Sequence, residues 1–430
     1  MDDPNVLDRM RADWNERAGE DANYYVAFGR REQVEEEFFA TAAALVRDLE
    51  ADLPRCPGRD AALEIGCGPG RLMRPLSRHF KEIHGVDVSD AMVKLARQRL
   101  RNTPNAFPHH SSGSDLKLFP DEKFDFVYSY AVFQHIPSLD VVLQYLREAR
   151  RVLKTGGVLR CQINGLPPTA KQYDTWAGVR VTPEQITSFT LEQDFQLLAL
   201  EMIHTQYMWI TCRKRPAGWV RSLAAGRTPR PASIRSLSNA LTGEAVVPAS
   251  GPLSALSLWI KELPDECDLN HMTVTMDGLA ARPEYIGIPA NDGVQQVNVW
   301  LPDGIRTGLV KVEMFWLGQP LCEPAWVRII PPGPAVARLE TVTAGVNLLL
   351  DRRTESGSIK VTMMEVPSAE LFHVTVDGMP ARETESFCAD PTLRRYEFNF
   401  RMPDGVGPGT HVLRIAMGKR EFPPMSIEVA

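Results

Sequence analysis

The sequence has no apolar run approaching the roughly 18 residues needed to cross a bilayer, so no membrane-spanning helix is expected. Cysteine is sparse: Cys56, Cys67, Cys161, Cys212, Cys267, Cys322 and Cys388 are odd in number and far apart. With no CxxC pair among them, neither a disulfide framework nor a zinc site is expected; they read as reduced thiols of a cytoplasmic protein. Charge of one sign is also lacking. The 48 Lys+Arg against 54 Asp+Glu leave a net charge of -6, which argues against a general nucleic-acid or membrane-surface binder. The N-terminal "MDDPNVLDRMRADWNERAGEDANYY" is acidic and lacks the apolar core of a secretory signal. His109 and His110 have no carboxylate nearby in sequence and read as surface residues, so no metal is expected.

What is present suits a globular chain of several domains: 430 residues, 44% hydrophobic and 24% charged. Residues 1–50 read as charged helices. Between about 51 and 215, short apolar runs alternate with amphipathic stretches, as in a parallel sheet covered by helices. The runs are "AALEIG", "EIHGVDVS", "KFDFVYSYAVF" and "VLRCQIN", with closing strands in "QLLALEMIHTQYMWITCRK". A helix with Leu72, Leu76 and Phe80 follows the first run, although Pro75 sits inside it. Ser89 is a cap candidate for "DAMVKLARQRLRN". Val142, Tyr145, Leu146, Ala149, Val152 and Leu153 keep a 3.6 period up to "TGG". Thr182 and Pro183 mark another helix start.

Residues 216–254 are rich in Pro, Gly, Ser and Ala and read as a linker with at most one short helix. Beyond 255 the period becomes that of strands, punctuated by "DG" and "PDG" turns. "MTVTMDGLAAR" at 272–282 recurs as "FHVTVDGMPAR" at 372–382, and "LPDGIRTGLVKV" at 301–312 as "MPDGVGPGTHVL" at 402–413. This internal repeat predicts two all-β sandwich domains, 255–333 and 334–430.

The chemistry concentrates in "EIGCGPG", Glu64 to Gly70. Its glycines follow a strand with GxGxG spacing, lacking the two-residue gap before the last glycine that marks a pyrophosphate loop. Asp87 ends the next strand, where a carboxylate accepts both hydroxyls of a ribose. With "SGSDLKLF", "FPDEKFDFVYSYAVFQHI" and "LREARRVLKTGGVL" in order behind it, the stretch 14–215 resembles the class I S-adenosylmethionine-dependent methyltransferases. The resemblance implies a doubly wound, mostly parallel, seven-stranded α/β sheet of Rossmann-like type. It also implies S-adenosylmethionine as cofactor and S-adenosylhomocysteine as product. Gly66, Cys67, Gly68 and Gly70 would cradle the methionine and ribose, with Glu64 near the amino group and Asp87 on the ribose diol. Val88 and Met92 would flank the adenine, Ser114, Asp115 and Leu116 would meet its edge, and Tyr130 would stand beside the sulfonium. The repeats resemble bacterial immunoglobulin-like modules, which bind or dimerise.

The acceptor side leaves alternatives open. His135 is either a general base for a hydroxyl or a structural histidine of its turn. The resemblance implies that the N-terminal helical segment 1–50 lies over the cofactor as a lid; within it, beside Trp14 and Phe28, Tyr24 or Tyr25 either faces cofactor or acceptor, or anchors a helix. Tyr173 and Trp176 either stack on a sugar or planar acceptor, or plug their loop against the sheet. The leading reading is methyl transfer to an oxygen of a small molecule or glycan, with a homodimer through the sandwiches as a possible assembly. A protein or peptide acceptor docked by the sandwiches, and a non-catalytic interaction protein, are the alternatives. No "NPPY"-like tetrapeptide supports a nucleic-acid acceptor.

Overall fold

The computed structural model describes residues 5–27, 33–169, 173–223, 232–333, 336–344, 352–354, 357–390 and 393–430. It divides into two compact units, Met1–Ala22 with Thr41–Pro332, and Asn23–Ala40 with Gly333–Ala430. Among the described residues, no helix is long and apolar enough to cross a membrane.

The N-terminal region is helical: α1 (Val6–Ala27), which leaves helical geometry at Asp21, α2 (Glu35–Ala40) and α3 (Ala43–Asp52). Seven strands follow: β1 (Ala61–Ile65), β2 (Glu82–Asp87), β3 (Ala106–His110), β4 (Phe124–Ser129), β5 (Leu153–Ile163), β6 (Phe195–Glu201) and β7 (Met208–Lys214). They lie in the order β3-β2-β1-β4-β5-β7-β6. The first five are parallel, and β7 runs antiparallel to both β5 and β6. The chain order reverses between β1 and β4, the switch point at which open α/β sheets bind ligands.

The helices between the strands follow the sequence signals, with two exceptions. Ser89 caps α5 (Asp90–Arg99) by accepting from the Met92 N–H, and Thr182 and Gln185 form a reciprocal capping box on α7 (Pro183–Glu192). α6 (Leu139–Val152) buries Val142, Tyr145, Leu146, Ala149 and Val152. The first exception is the helix expected to carry Leu72, Leu76 and Phe80. It is one turn, α4 (Met73–Leu76), followed by a 3₁₀ turn at Ser77–His79. Pro75 lacks an N–H and obstructs the preceding turn, so a long helix does not propagate. The second is "TGG", expected to stop α6. That helix ends at Val152 and the glycines lie inside β5, where Gly156 has φ +84° and the pairing with β4 jumps from Leu153 to Val158.

Alternation along the strands makes two core layers. Leu63, Ile65, Val127, Leu159 and Cys161 pack on one face, and Ala62, Phe126, Tyr128 and Val158 on the other. On this second face a lateral row crosses the sheet: Gly85, Glu64, Tyr128, Arg160, Thr211, Ala199.

The 216–254 stretch is not simply a linker. It contains α8 (Trp219–Leu223) and two strands, β8 (Ser233–Asn239) and β9 (Val246–Pro248), paired into the β-rich region behind it. That region adds β10 (Ala255–Lys261), β11 (Met272–Met276), β12 (Leu279–Ile286), β13 (Val294–Trp300), β14 (Gly308–Trp316), β15 (Gln319–Pro320) and β16 (Ala325–Ile330). Polar Ser and Pro in β8 and β9 mask strands that sit at sheet edges, where such residues are tolerated. One core gathers Leu256, Leu258, Val297 and Val299 with Val274, Val310, Val312 and Val327.

The seven-stranded sheet continues into this region, because Tyr285 of β12 pairs with Ala199 of β6. Arg55 secures the junction: its Nε donates to Asp52 at 2.8 Å and its Nη2 to the Ile286 carbonyl at 2.7 Å. The Gln196 amide donates to the Asp265 and Cys267 carbonyls at 2.7 Å each.

The second unit carries sheets of 338–344, 358–364, 395–401 and 382–390, and of 353–354, 425–429, 409–417, 372–376 and 379–380, with 420–421 paired to 409–417. The repeat is visible in its hydrogen bonds. Asp277 and Asp377 have φ of 48° and 49°, followed by Gly278 and Gly378 at 84° and 81°. Each aspartate also accepts from the facing strand, from the Lys311 N–H at 2.9 Å and the Val412 N–H at 2.8 Å. Two successive left-handed residues make the tight turn whose twist matches paired strands.

Replacing Arg55 by methionine removes the guanidinium from a buried carboxylate. It should cost about 3 kcal/mol, the range seen when one partner of a buried pair is lost. Chemical denaturation should show an earlier transition, and an unchanged midpoint would show the junction to be dispensable.

Candidate active site

β1 runs out at Ile65 into a loop in which Gly66, Gly68 and Gly70 all have positive φ, 75°, 49° and 85°. Two of these glycines are required by the protein itself. A Cβ on Gly66 would lie 2.2 Å from Val132 Cγ2, and one on Gly70 would lie 2.8 Å from Leu100 Cδ1. Cys67 is buried, with its thiol pushed well up by burial.

Asp87, at the end of β2, ties the loop down. Its Oδ2 accepts from the Gly68 N–H and its Oδ1 from the Ser89 N–H, both at 2.9 Å. Burial pushes this carboxyl upward, opposed by those two backbone donors. Ser89 Oγ in turn donates to Asn15 Oδ1 at 2.7 Å, and the Ala91 N–H donates to the same oxygen at 3.2 Å. The first helix is thereby docked on the start of α5.

The end of β3 arrives beside Asp87, since the Ser111 N–H donates to the Asp87 carbonyl at 2.9 Å. A Cβ on Gly113 would stand 2.9 Å from Val88 Cγ2, so Val88 and the 111–116 loop are close neighbours. Ser114 and Asp115 turn back onto Ser112 Oγ, at 3.3 and 3.2 Å from their N–H groups. Met92 and Leu116 are buried, Leu116 in the core layer that holds Leu63 and Val127, and the Leu116 N–H donates to Glu148 at 2.9 Å.

Beneath the glycine loop lie two buried ionisable side chains. Glu64 is 3% exposed and Arg71 6%. Tyr128 donates its hydroxyl to Glu64 Oε2 at 3.0 Å. Burial raises the Glu64 pKa to about 8, against the lowering effect of Tyr128 and Arg71. Arg71 donates from Nη1 to Thr41 Oγ1 at 3.2 Å and lies 5.6 Å from the Tyr130 ring centre. Its buried Nε has no hydrogen-bond partner among the described residues. Tyr130 stacks on Trp209, with ring centres 5.9 Å apart.

The expected acceptor residues divide. His135 is 6% exposed, with Nδ1 3.0 Å from the Trp176 carbonyl and Nε2 3.3 Å from the Gln134 amide nitrogen. A carbonyl only accepts, so Nδ1 carries the proton in the assigned tautomer, and Nε2 accepts from Gln134. Burial lowers the His135 pKa to about 4. Both nitrogens are engaged and the ring is a weak base, so of the two readings of His135 the geometry favours the structural one. The histidine joins the 133–135 turn to the 173–179 loop, reinforced by Gly178 N–H to Gln134 and Val179 N–H to Ile136, both at 2.8 Å.

Tyr173 packs against the core layer that holds Leu63 and Val127, whereas Trp176 is 50% exposed. Trp176 shares Arg17 with Trp14: the guanidinium carbon lies 5.5 Å and 4.7 Å from the two ring centres. Arg17 also donates to the Thr175 carbonyl and hydroxyl, both at 3.1 Å. Tyr24 and Tyr25 pack edge to face on each other, 5.2 Å apart, and fall in the second compact unit. Phe28 lies outside the described residues.

Sequence reasoning missed Asn15, Arg17 and Arg71. The quoted block "WNERAGED" holds the first two. The i, i+3 spacing of Trp14 and Arg17 was the available signal. Arg71 follows the last glycine directly, but charge there reads as surface until its burial is seen. Among the described residues no group of three or more His, Cys, Asp or Glu is arranged to hold a metal.

The model of the methyltransferase domain matches residues 63–161. A ubiquinone biosynthesis O-methyltransferase from Cereibacter sphaeroides (strain KD131 / KCTC 12085) is 32% identical over 120 residues, 28% of this chain and 47% of that protein. A trans-aconitate 2-methyltransferase from Afipia carboxidovorans is 36% identical over 119 residues, 27% of this chain and 43% of that protein. The chain thus spans under half the length of these curated relatives. Among solved structures, the phosphoethanolamine N-methyltransferase 1 of Haemonchus contortus aligns at 15% identity and a TM-score of 0.38, covering 51% of each chain.

Substituting Gly66 by alanine should destabilise the protein by about 2 kcal/mol or more, through the Val132 clash and the positive φ. Val132→Ala in the same background should recover part of that loss in a double-mutant cycle. Strict additivity would place the cost elsewhere.

Stability should also respond to Glu64. Its folded pKa of about 8 exceeds the ordinary 4.5, so the folded state holds the extra proton. The contribution is complete below pH 4.5 and is lost progressively as pH rises through about 8. Denaturation midpoints measured across that window should flatten in Glu64→Gln, and an unchanged slope would count against a neutral buried Glu64.

Proposed function

We propose that the first unit is an S-adenosylmethionine-dependent methyltransferase that modifies an oxygen of a small-molecule or glycan acceptor and releases S-adenosylhomocysteine. The domain match over 63–161 supports the reaction class. The observation that carries the reading is the buried pair of Glu64 and Arg71, with Arg71 Nε unpartnered under the glycine loop. A buried guanidinium donor without a partner is costly, and burial keeps Glu64 protonated until a cation arrives. An amino-acid moiety, carrying an ammonium and a carboxylate, answers both.

In this reading Glu64 takes the ammonium and Arg71 the carboxylate. Asp87, already holding Gly68 and Ser89 with one contact on each oxygen, has a further lone pair on each for a ribose diol. Val88, Met92, Ser114, Asp115 and Leu116 form the adenine side, and Tyr130 the sulfonium side. The bound cofactor supplies an electrophilic methyl group. The chain's part is to align the acceptor and exclude water, from which much of the rate of such a displacement comes. Trp176, Arg17 and Trp14 offer a flat, cationic rim suited to a sugar or planar acceptor. Tyr173 backs that rim, and His135 positions it by holding the Trp176 carbonyl. The name O-methyltransferase on one relative supports oxygen as the acceptor atom. We read the two β-rich regions as immunoglobulin-like modules that deliver the acceptor or pair two copies.

Binding should release a proton. Near pH 7 Glu64 is largely neutral in the free protein, and a bound ammonium favours its charged form. Calorimetry with S-adenosylhomocysteine in buffers of differing ionisation enthalpy should report release approaching one proton, abolished in Glu64→Gln. No binding at all would defeat the proposal. His135→Ala should raise the acceptor KM while lowering kcat less than about tenfold, because a positioning residue is removed rather than a base. A loss of about 10² or more in kcat, within the usual contribution of general-base catalysis, would restore the catalytic role.

A further inference from the structure

Away from the glycine loop, the first β-rich region carries a groove of about 410 Å³ lined by Arg235, Ser236, Trp259, Lys261, Asp292 and Val294. That volume falls within the roughly 300–1,000 Å³ of small-ligand sites. The groove lies on the β8-β10-β13 face, where Ser236 and Gln296 are the partners of Trp259 on either side.

The local backbone contributes to it. Between Trp259 and Ile260 the pairing with β8 skips from Ser236 to Ile234, which leaves Arg235 as the extra residue of a bulge. Bulges re-aim side chains, and here Arg235 and its neighbour Ser236 both line the groove. Arg235 and Lys261 have no ion-pair partner among the described residues. The platform beneath is hydrogen-bonded side chain to side chain. Trp259 Nε1 donates to Ser238 at 3.2 Å, Gln296 donates to Ser257 at 2.9 Å and to Asn298 at 2.8 Å, and Ser257 donates to Asn298 at 2.7 Å. Asp292 accepts the Val294 N–H at 3.1 Å through Oδ1.

We propose that this groove binds an acidic saccharide, one bearing uronate carboxylates. Each part answers to that chemistry. A half-buried indole with a fixed ring offers a flat apolar surface for the C–H face of a pyranose. Two unpaired cations meet a carboxylate, and Ser236 and Asp292 supply acceptors for sugar hydroxyls. A nucleic-acid backbone suits the groove less well, because its sugars offer Ser236 and Asp292 at most one free hydroxyl each, whereas a linked uronate carries two beside its carboxylate. The site is independent of the methyl-transfer reading.

The test is calorimetric titration of the full chain with tetragalacturonate, with maltotetraose as the neutral counterpart and a single-stranded oligonucleotide as the competing polyanion. Tetragalacturonate should bind at least tenfold more tightly than maltotetraose. The double variant Arg235→Glu/Lys261→Glu should weaken it at least tenfold, as should Trp259→Ala. The charge-reversal variant changes exposed and half-buried positions only, so it reports even if Trp259→Ala fails to fold. S-adenosylhomocysteine affinity should be the same in the wild type and the charge-reversal variant. Absence of tetragalacturonate binding, equal binding of the neutral sugar, tighter binding of the oligonucleotide, or binding undiminished by charge reversal would each overturn the proposal.

Discussion

A carboxylate at the end of a buried strand cannot be left without donors, and Asp87 finds them in the two loops that any ligand at the switch point must meet. One oxygen holds the Gly68 N–H and the other the Ser89 N–H. The first contact fixes the glycine loop over β1. The second sets the residue that caps α5, and the same serine donates its hydroxyl to Asn15 of the first helix. Removing a partner of a buried carboxylate costs more than the contact itself returns, so the loop, the cap and the covering helix form one linked arrangement.

The same constraint operates in the row across the sheet. Glu64 and Tyr128 answer each other, and Arg160 reaches Thr211 at 2.7 Å and Glu201 at 2.8 Å. Asp52 lies 3.4 Å from Arg160 and also holds Arg55, whose other arm reaches the Ile286 carbonyl of β12. Polar groups dried by the sheet therefore find partners beyond its edge, and the β-rich region completes that edge by strand pairing. An edge strand left open would expose its backbone groups to pairing with other chains.

The rim proposed for the acceptor follows a different logic. Trp14 and Trp176 share Arg17 through cation–π contact, and His135, held neutral by burial, lies edge-on to Trp14 and tilted against Trp176. These contacts orient a surface and leave it reachable, which is what a positioning site requires.

Much of the frame was legible in the chain. The alternation of apolar runs and amphipathic stretches, Ser89 and Thr182 as caps, and the repeated "DG" turns are local properties whose period or chemistry fixes local geometry. The grouping of Gly66, Gly68, Gly70 and Asp87 was readable for the same reason, since a strand–loop–helix unit brings them together over some twenty residues. Other features needed the tertiary structure. Pro75 shortened a helix that the apolar spacing supported. The 216–254 stretch hid two edge strands behind Pro and Ser. Arg71 became a buried charge only once Thr41 and Tyr130 were folded around it. Arg235 joined Trp259 only through a bulge. Local pattern determined most elements of the first sheet and its helices. Burial, register and long-range partners decided which side chains are dry, which are paired and which stand open to a ligand, because those depend on residues far apart in the chain.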